Sequence, residues 1–229
     1  MKNIITYFFF TIIPIYIFSD AVEPIKIAII GCHDPKYDHI GIYSHLSKSA
    51  YATKNGYDFH LYTEYLLDVS RKGYWYKLIA AQKNLPYYDW LFYLDSDAVI
   101  MNHSIRLESL IDDNYDMIAA GTNCEGFPVL SGQFLIKNSE WSKKFLDEWF
   151  EVGDTNIQPG YDGGALIKLY NERPDVRDHI KLIPLVNMGS YDWDYKEGDF
   201  VIQFAGYIFP EKEKRMIRYY NLSLLQNNQ

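Results

Sequence analysis

The sequence predicts an α/β fold, with a mostly parallel central sheet flanked by helices. Three observations predict it. Short apolar runs alternate with helix-like segments along the chain, the pattern of strand–crossover–strand units. One run, Trp90-Leu91-Phe92-Tyr93-Leu94, is apolar without alternation, as a strand covered on both faces must be. Trp141, Phe145 and Trp149 recur every four residues and give one helix a single apolar face.

The elements follow in order. Lys26 to Ile30 is an apolar run ending at Gly31 and reads as the first strand. Residues 41–55 read as a helix with Gly56 as its stop, and 57–62 as a second strand. Trp75, Leu78 and Ile79 share a helical face, closed by Leu85-Pro86. The 90–94 strand runs straight into Asp95-Ser96-Asp97. Residues 116–120 and 129–136 read as strands, 139–150 as a helix, and 180–186 and 200–204 as later strands. Ligands of such sheets bind beyond the carboxyl ends of the strands, where the acidic pair sits. Gly31 and Cys32, at the end of the first strand, are the candidate nucleotide contacts on the same ground. There is no internal repeat and no linker, so residues 22–229 read as a single domain.

With 229 residues, 48% of them hydrophobic, the chain can bury one sizeable core. A net charge of −8 and the lack of a basic run argue against a nucleic-acid partner. A net-negative chain that binds an anionic ligand needs a local cation, most simply a metal ion. The 21 tyrosines suit a cleft that stacks sugars and bases, and equally suit core packing. Cys32 and Cys124 have neither zinc-binding nor redox spacing, which leaves one disulfide or two buried thiols open. Residues 1–21 read as a signal peptide, with Ser19-Asp20-Ala21 as a cleavage site, or as a short signal anchor. Either directs the chain to the secretory pathway. The sequons Asn102-His103-Ser104 and Asn221-Leu222-Ser223 are compatible with a lumenal glycoprotein.

Asp95 and Asp97 are two apart, so on extended backbone their carboxylates point the same way. Two like charges at the end of an apolar strand repel and lose hydration. A hard divalent cation, Mg²⁺ or Mn²⁺, relieves both and leaves positions open for phosphate oxygens. A helix cap or a solvated turn is the other reading of the same residues.

Several segments together resemble a known family: the retaining glycosyltransferases that include yeast α-galactosyltransferases, mannan-polymerase subunits and plant xyloglucan xylosyltransferases. They are Tyr74-Trp75-Tyr76-Lys77-Leu78, the strand with Asp95-Ser96-Asp97-Ala98, Leu130-Ser131-Gly132-Gln133-Phe134, Asp162-Gly163-Gly164-Ala165, Pro184-Leu185-Val186-Asn187, and Asp199-Phe200-Val201-Ile202-Gln203-Phe204-Ala205-Gly206. The resemblance implies a GT-A type fold and a Mn²⁺-dependent (or Mg²⁺-dependent) transfer of a hexosyl or pentosyl unit. The donor would be a UDP- or GDP-sugar, the acceptor a glycan or glycoprotein, and the location the Golgi lumen, type II if the N-terminal segment stays as a membrane anchor. It makes Asp95 and Asp97 the metal pair, with Gln203 at the third ligand position. Lys77, Ser96, Ser131, Gly132, Asn187 and Gly206 become substrate contacts, and Asp162 and Gln133 the groups facing the donor sugar.

The chain departs from the family pattern in three places. Gln203 stands where the family has a histidine metal ligand. Ile208 stands where it has a lysine, for which Lys212 or Lys214 could substitute. Leu130-Ser131 replaces an asparagine before the sugar-pocket glycine, and Gly163 replaces an amide residue. These departures keep a second expectation in play, a transferase-like module that binds a nucleotide sugar or glycan without turnover. A metal-assisted diphosphate hydrolase is a third.

Overall fold

The computed structural model describes residues 23–63, 73–122, 126–157 and 160–227. The expected leader at 1–21 and the question of a Cys32–Cys124 disulfide, which turns on Cys124, fall outside them. Among the described residues no helix is long and apolar enough to cross a membrane.

The main sheet has six strands: β1 (Ile27–His33), β2 (Asp58–Thr63), β3 (Trp90–Leu94), β5 (Met117–Gly121), β6 (Val129–Lys137) and β7 (Ile180–Pro184). Their spatial order is β2-β1-β3-β6-β5-β7. β1 pairs in parallel with β2 and β3, and β5 with β7, while β6 runs antiparallel between β3 and β5. The sheet is mostly parallel, as the sequence predicts, with β6 as the reversed strand. A second sheet of three short strands joins β4 (Ala98–Ile100), β9 (Val201–Gln203) and β8 (Ser190–Tyr191), in that order.

Both faces of the main sheet are covered, which is why β1 and β3 are buried at every position. On one face Ala28, Ile30, Leu91, Tyr93, Phe134 and Ile136 pack against α2 (Tyr76–Asn84), α3 (Glu140–Val152) and α4 (Tyr161–Glu172). On the other, Ile29, Phe92, Leu94, Ile118 and Leu135 meet α1 (Asp38–Asn55) and the strand ends around Phe200. α3 has the expected register. Ser139 caps it by accepting from the Ser142 amide at 3.1 Å, and Phe145, Leu146 and Trp149 face inward.

α1 begins three residues before the expected start and ends at Gly56, whose φ of 76° closes the helix. The expected strand at 180–186 stops at Pro184, and Leu185–Met188 turns as the short helix α6. Ahead of that strand, α5 (Pro174–His179) leads into β7. The sequence reading has no counterpart for the last helix, α7 (Glu211–Asn227). It covers the small sheet by packing Met216 among Ile40, Val99, Met101, Ile202 and Phe204. The Asn227 side chain donates to the Met101 carbonyl at 2.8 Å and accepts from the His103 amide at 2.9 Å.

Candidate active site

The carboxyl ends of the strands open into a cleft of about 1090 Å³. The acidic pair lies in its floor, in the connection where the chain leaves β3 and enters β4. Asp95 and Asp97 therefore bridge the two sheets and do not continue one strand. Backbone bonds fix this connection: the Asp95 amide donates to the Gly132 carbonyl at 2.8 Å, and the Asp97 carbonyl accepts from the Phe204 amide at 2.9 Å. From behind, Lys48 of α1 donates to the Leu94 carbonyl at 2.7 Å and the Asp95 carbonyl at 3.0 Å, and Ser44 donates to the latter at 3.3 Å. Lys48 is fully buried, and burial pushes its ammonium down to about 8.

The carboxylates meet cations of the chain itself. Lys77 Nζ lies 3.1 Å from Asp95 Oδ1 and 2.9 Å from Asp162 Oδ2, and donates to the Ser131 carbonyl at 3.1 Å. Burial disfavours the Lys77 ammonium, but Asp162 and Asp95 outweigh that and hold its pKa above the ordinary value. Burial raises the Asp162 carboxyl, an effect that Lys77 partly offsets. Tyr93 donates to Asp95 Oδ1 at 2.7 Å, and burial pushes its phenol well up, so it stays a donor. Lys212 of α7 reaches across to Asp97 Oδ2 at 2.6 Å. Lys48, Lys77 and Lys212 thus stand against Asp95, Asp97 and Asp162. The local cation that a net-negative chain needs is supplied first by lysines.

Gln203, at the end of β9, comes to the same point. A Cβ on Gly132 would lie 2.8 Å from Gln203 Nε2 and 2.9 Å from Asp95 Oδ2, so a side chain at 132 would fill the space where the two converge. Gln203 is 7% exposed, and its Oε1 has no hydrogen-bond partner among the described residues. Buried polar atoms are normally satisfied, so this oxygen is an acceptor open to a hydrogen-bond donor or a cation. Two carboxylates and an amide oxygen suit a hard divalent cation such as Mn²⁺ or Mg²⁺. Among the described residues no group of three or more His, Cys, Asp or Glu could hold a metal, so substrate oxygens would have to complete the sphere.

Of the residues singled out from sequence, the cleft brings together Lys77, Asp95, Asp97, Ser131, Gly132, Asp162, Gln203, Gly206 and Lys212. Asp162 is not the cap of α4. That position is Gly160, and the Asp162 side chain points to Lys77. Five residues stand apart. Gln133 does not line the cleft. Strand alternation turns it to the opposite side of β6 from Gly132, where its Nε2 sits 3.0 Å from the Cβ position of Gly189. Asn187 is exposed on α6 and Ser96 occupies the turn between the aspartates; neither lines the cleft. Gly31 and Cys32 are packed inside β1. A Cβ on Gly31 would meet the His45 and Phe59 rings at 3.2 Å, and burial pushes the Cys32 thiol up to about 12. Their placement is explained by packing.

Sequence reasoning missed Lys48, whose polar neighbours hide it in a helix without an apolar stripe. It also missed two aromatic pairs on the cleft wall. Tyr74 and Tyr161 stack at 4.3 Å and 13°, with Tyr161 held at a φ of 49°. Tyr191 and Trp193 stack at 4.5 Å and 15°.

Comparison with known proteins agrees with this architecture. Residues 48–176 match the profile of a family described as "Protein of unknown function, DUF273". Galactomannan galactosyltransferase 1 of Cyamopsis tetragonoloba is 28% identical over 172 residues, covering 70% of this chain and 39% of the relative. Xyloglucan 6-xylosyltransferase 1 of Arabidopsis thaliana is 26% identical, covering 81% and 43%. Probable alpha-1,6-mannosyltransferase MNN10 of Saccharomyces cerevisiae is 27% identical, covering 70% and 53%. These are the kinds of enzyme the sequence resembles, and the chain spans about half of their length or less. Among solved structures, a glycosyltransferase involved in glycosylation of the major capsid of PBCV-1 superposes with a TM-score of 0.67 at 17% identity, covering 84% of this chain and 99% of that one. The galactosyltransferase LgtC, solved with donor and acceptor sugar analogs, gives 0.55 at 12% identity, covering 86% and 95%. The fold is the GT-A fold of these transferases.

Proposed function

The chain belongs to the DUF273 family, and we propose that it is a glycosyltransferase moving a hexosyl or pentosyl unit from a nucleotide-diphosphate sugar to a glycan or glycoprotein, with retention and with Mn²⁺ or Mg²⁺. The observation that carries this reading is the convergence of Asp95 and Gln203 over Gly132, in one cleft with Asp97, Lys212 and the Lys77–Asp162 pair. The galactosyl-, xylosyl- and mannosyltransferase relatives support the same class. A leader at residues 1–21 would fit work in the secretory pathway.

Breaking the bond at the anomeric carbon leaves negative charge on the diphosphate and positive charge on the sugar. A divalent cation held by Asp95, Asp97 and Gln203 would neutralise the first. Lys212, on the flexible stem of a lysine, would pass from Asp97 to a phosphate oxygen and add to it. On this reading Asp162 would face the sugar, with the Lys77 ammonium 2.9 Å away partly offsetting the rise that burial imposes on its carboxyl. That ion pair makes Asp162 a poor nucleophile. We therefore favour attack on the face the diphosphate leaves, with the departing phosphate taking the acceptor proton.

The test is donor hydrolysis and sugar transfer across a set of UDP- and GDP-sugars, with and without Mn²⁺. Asp97→Ala should cost at least a hundredfold in turnover, the scale of losing one preorganised charge partner. Unchanged turnover in Asp97→Ala would remove the central claim. One observation favours a second reading: Lys212 already neutralises Asp97, as in a cleft that binds without reacting. That reading predicts stabilisation by nucleotide sugars with no product.

A further inference from the structure

Trp193 stands at the wall of the cleft with 66% of its surface exposed, although tryptophan is rich in apolar area. Its backbone is held firmly. Tyr191 pairs in register with Gln203, so the turn that carries Trp193 springs from beside the candidate metal site. The turn closes through the Asp194 amide on the Tyr191 carbonyl at 3.1 Å. At its centre the Asp192 side chain, 2% exposed, forms an ion pair with the part-exposed Arg215 and accepts from the Tyr207 hydroxyl at 2.7 Å. The Arg215 guanidinium in turn lies 4.3 Å from the centroid of the Tyr207 ring. The pair ties the turn to α7 through a carboxylate that is out of water. Here the geometry fixed is that of an indole backed on one face by Tyr191 and left accessible beyond it.

We infer that Trp193 is a stacking platform for a neutral sugar ring of the acceptor, a role that rests on the transferase reading of the cleft. Charge selects the occupant. The rim beside the indole carries Asp194, which lines the cleft, and the same connection adds Glu197 and Asp199 against Lys196. A nucleoside diphosphate is repelled there and drawn instead to Lys212. An uncharged pyranose offers apolar C–H faces to the indole and hydroxyls to the carboxylates, and meets no such repulsion.

The experiment compares the full chain with Trp193→Ala and Trp193→Phe, with neutral mannose and glucose hexasaccharides as probes. Saturation-transfer NMR reads oligosaccharide binding directly, and UDP and GDP with Mn²⁺ are followed by thermal shift. Trp193→Ala should weaken oligosaccharide binding, and raise the acceptor KM, by about fivefold to tenfold at unchanged kcat. Phe should restore most of it, and nucleotide shifts and donor hydrolysis should match wild type. Three results overturn the inference: oligosaccharide binding unaffected by Trp193→Ala, no binding of either hexasaccharide by the wild type, or a loss confined to UDP or GDP, which would make the indole a base platform. If the wild type makes no product from any donor, the transferase reading fails, while the NMR contrast still decides whether Trp193 holds a sugar.

Discussion

Replacing Lys77 by methionine keeps the length and apolar stem of the side chain and deletes the ammonium between two carboxylates. Asp162 would then be a buried charge without its partner, since its side chain is only 5% exposed and Lys77 lies 2.9 Å away. Breaking a buried pair from one side costs about 3–5 kcal/mol. The lower end applies, because Asp95, the second partner, is 29% exposed and can rehydrate. About 3 kcal/mol corresponds to a fall in Tm of roughly 6–12 °C for a chain of this size. The penalty depends on pH with a definite sign. Burial already raises the Asp162 carboxyl, and loss of Lys77 raises it further. A carboxyl whose folded pKa is raised gives its full contribution below the unfolded value, near 3.9, and loses it as pH climbs through the folded value. The deficit should therefore be small near pH 4 and full at pH 8. The Trp149 indole still donates to the Asp162 carbonyl at 2.8 Å, so the backbone stays in place. Adding Asp162→Asn to Lys77→Met should then recover most of the loss at pH 8. Melting curves of the three variants at pH 4.5 and 8 test this. A Lys77→Met variant within 1–2 °C of wild type at pH 8, or a deficit independent of pH, would refute the claim that this pair carries buried charge.

Gly132→Ala places a methyl group where Asp95 and Gln203 converge. It should cost about 1–3 kcal/mol in a thermal melt and abolish Mn²⁺ binding measured by electron paramagnetic resonance; unchanged Mn²⁺ affinity would separate the glycine from the metal site. Lys212→Met removes the ammonium competing for Asp97. Mn²⁺ should bind the nucleotide-free chain up to about fivefold tighter, the most that a part-exposed pair of this kind is worth. Lys48 holds its proton less tightly when folded, at about 8, than when unfolded. Between pH 8 and the unfolded value near 10.4 the unfolded chain binds more protons, so this group makes stability rise with pH. Lys48→Met should flatten that rise in denaturant titrations across the same range.

The parts of this architecture legible in the sequence are those where one kind of force acts alone. β3 is covered on both faces, so its five residues are all apolar, and the acidic pair after it stands out by contrast. α3 has one buried stripe and reads by its period. α1 does not, because its inward face includes Ser44, Ser47 and Lys48, which bind backbone groups of β3, β4 and the connection between them, and no apolar period marks it. Gln133 shows how a right neighbourhood gives a wrong contact: in β6 a step of one residue changes the face, and Gly132 takes the cleft side. In Gly163-Gly164 the two glycines divide their tasks. Gly163 lines the cleft, whereas a Cβ on Gly164 would lie 2.4 Å from the Ile157 carbonyl oxygen, so packing alone requires it. Trp193 gave no signal, since an exposed aromatic in a connection looks like any other until the Asp192–Arg215 pair that holds its turn is seen.

The three lysines around the acidic cluster come from three helices, and each answers a different need. Lys48 of α1 neutralises from behind and binds only backbone oxygens, so it has no freedom to follow a substrate. Lys77 of α2 is locked between Asp95 and Asp162 with 4% of its side chain exposed, and it partly offsets the burial that raises the Asp162 carboxyl. Lys212 of α7 is 15% exposed, bonded through its ammonium to one partner at the cleft wall. Of the three it has the freedom to exchange a carboxylate for a phosphate. The family pattern puts its cation just after the small sheet, where this chain has Ile208, 80% exposed. The first turn of α7 restores the charge one helical turn later, at Lys212, where the reach of a lysine spans the offset. A lost cation and an unanticipated helix are thus one feature: α7 covers the small sheet and, through its first turn, returns the missing charge to Asp97.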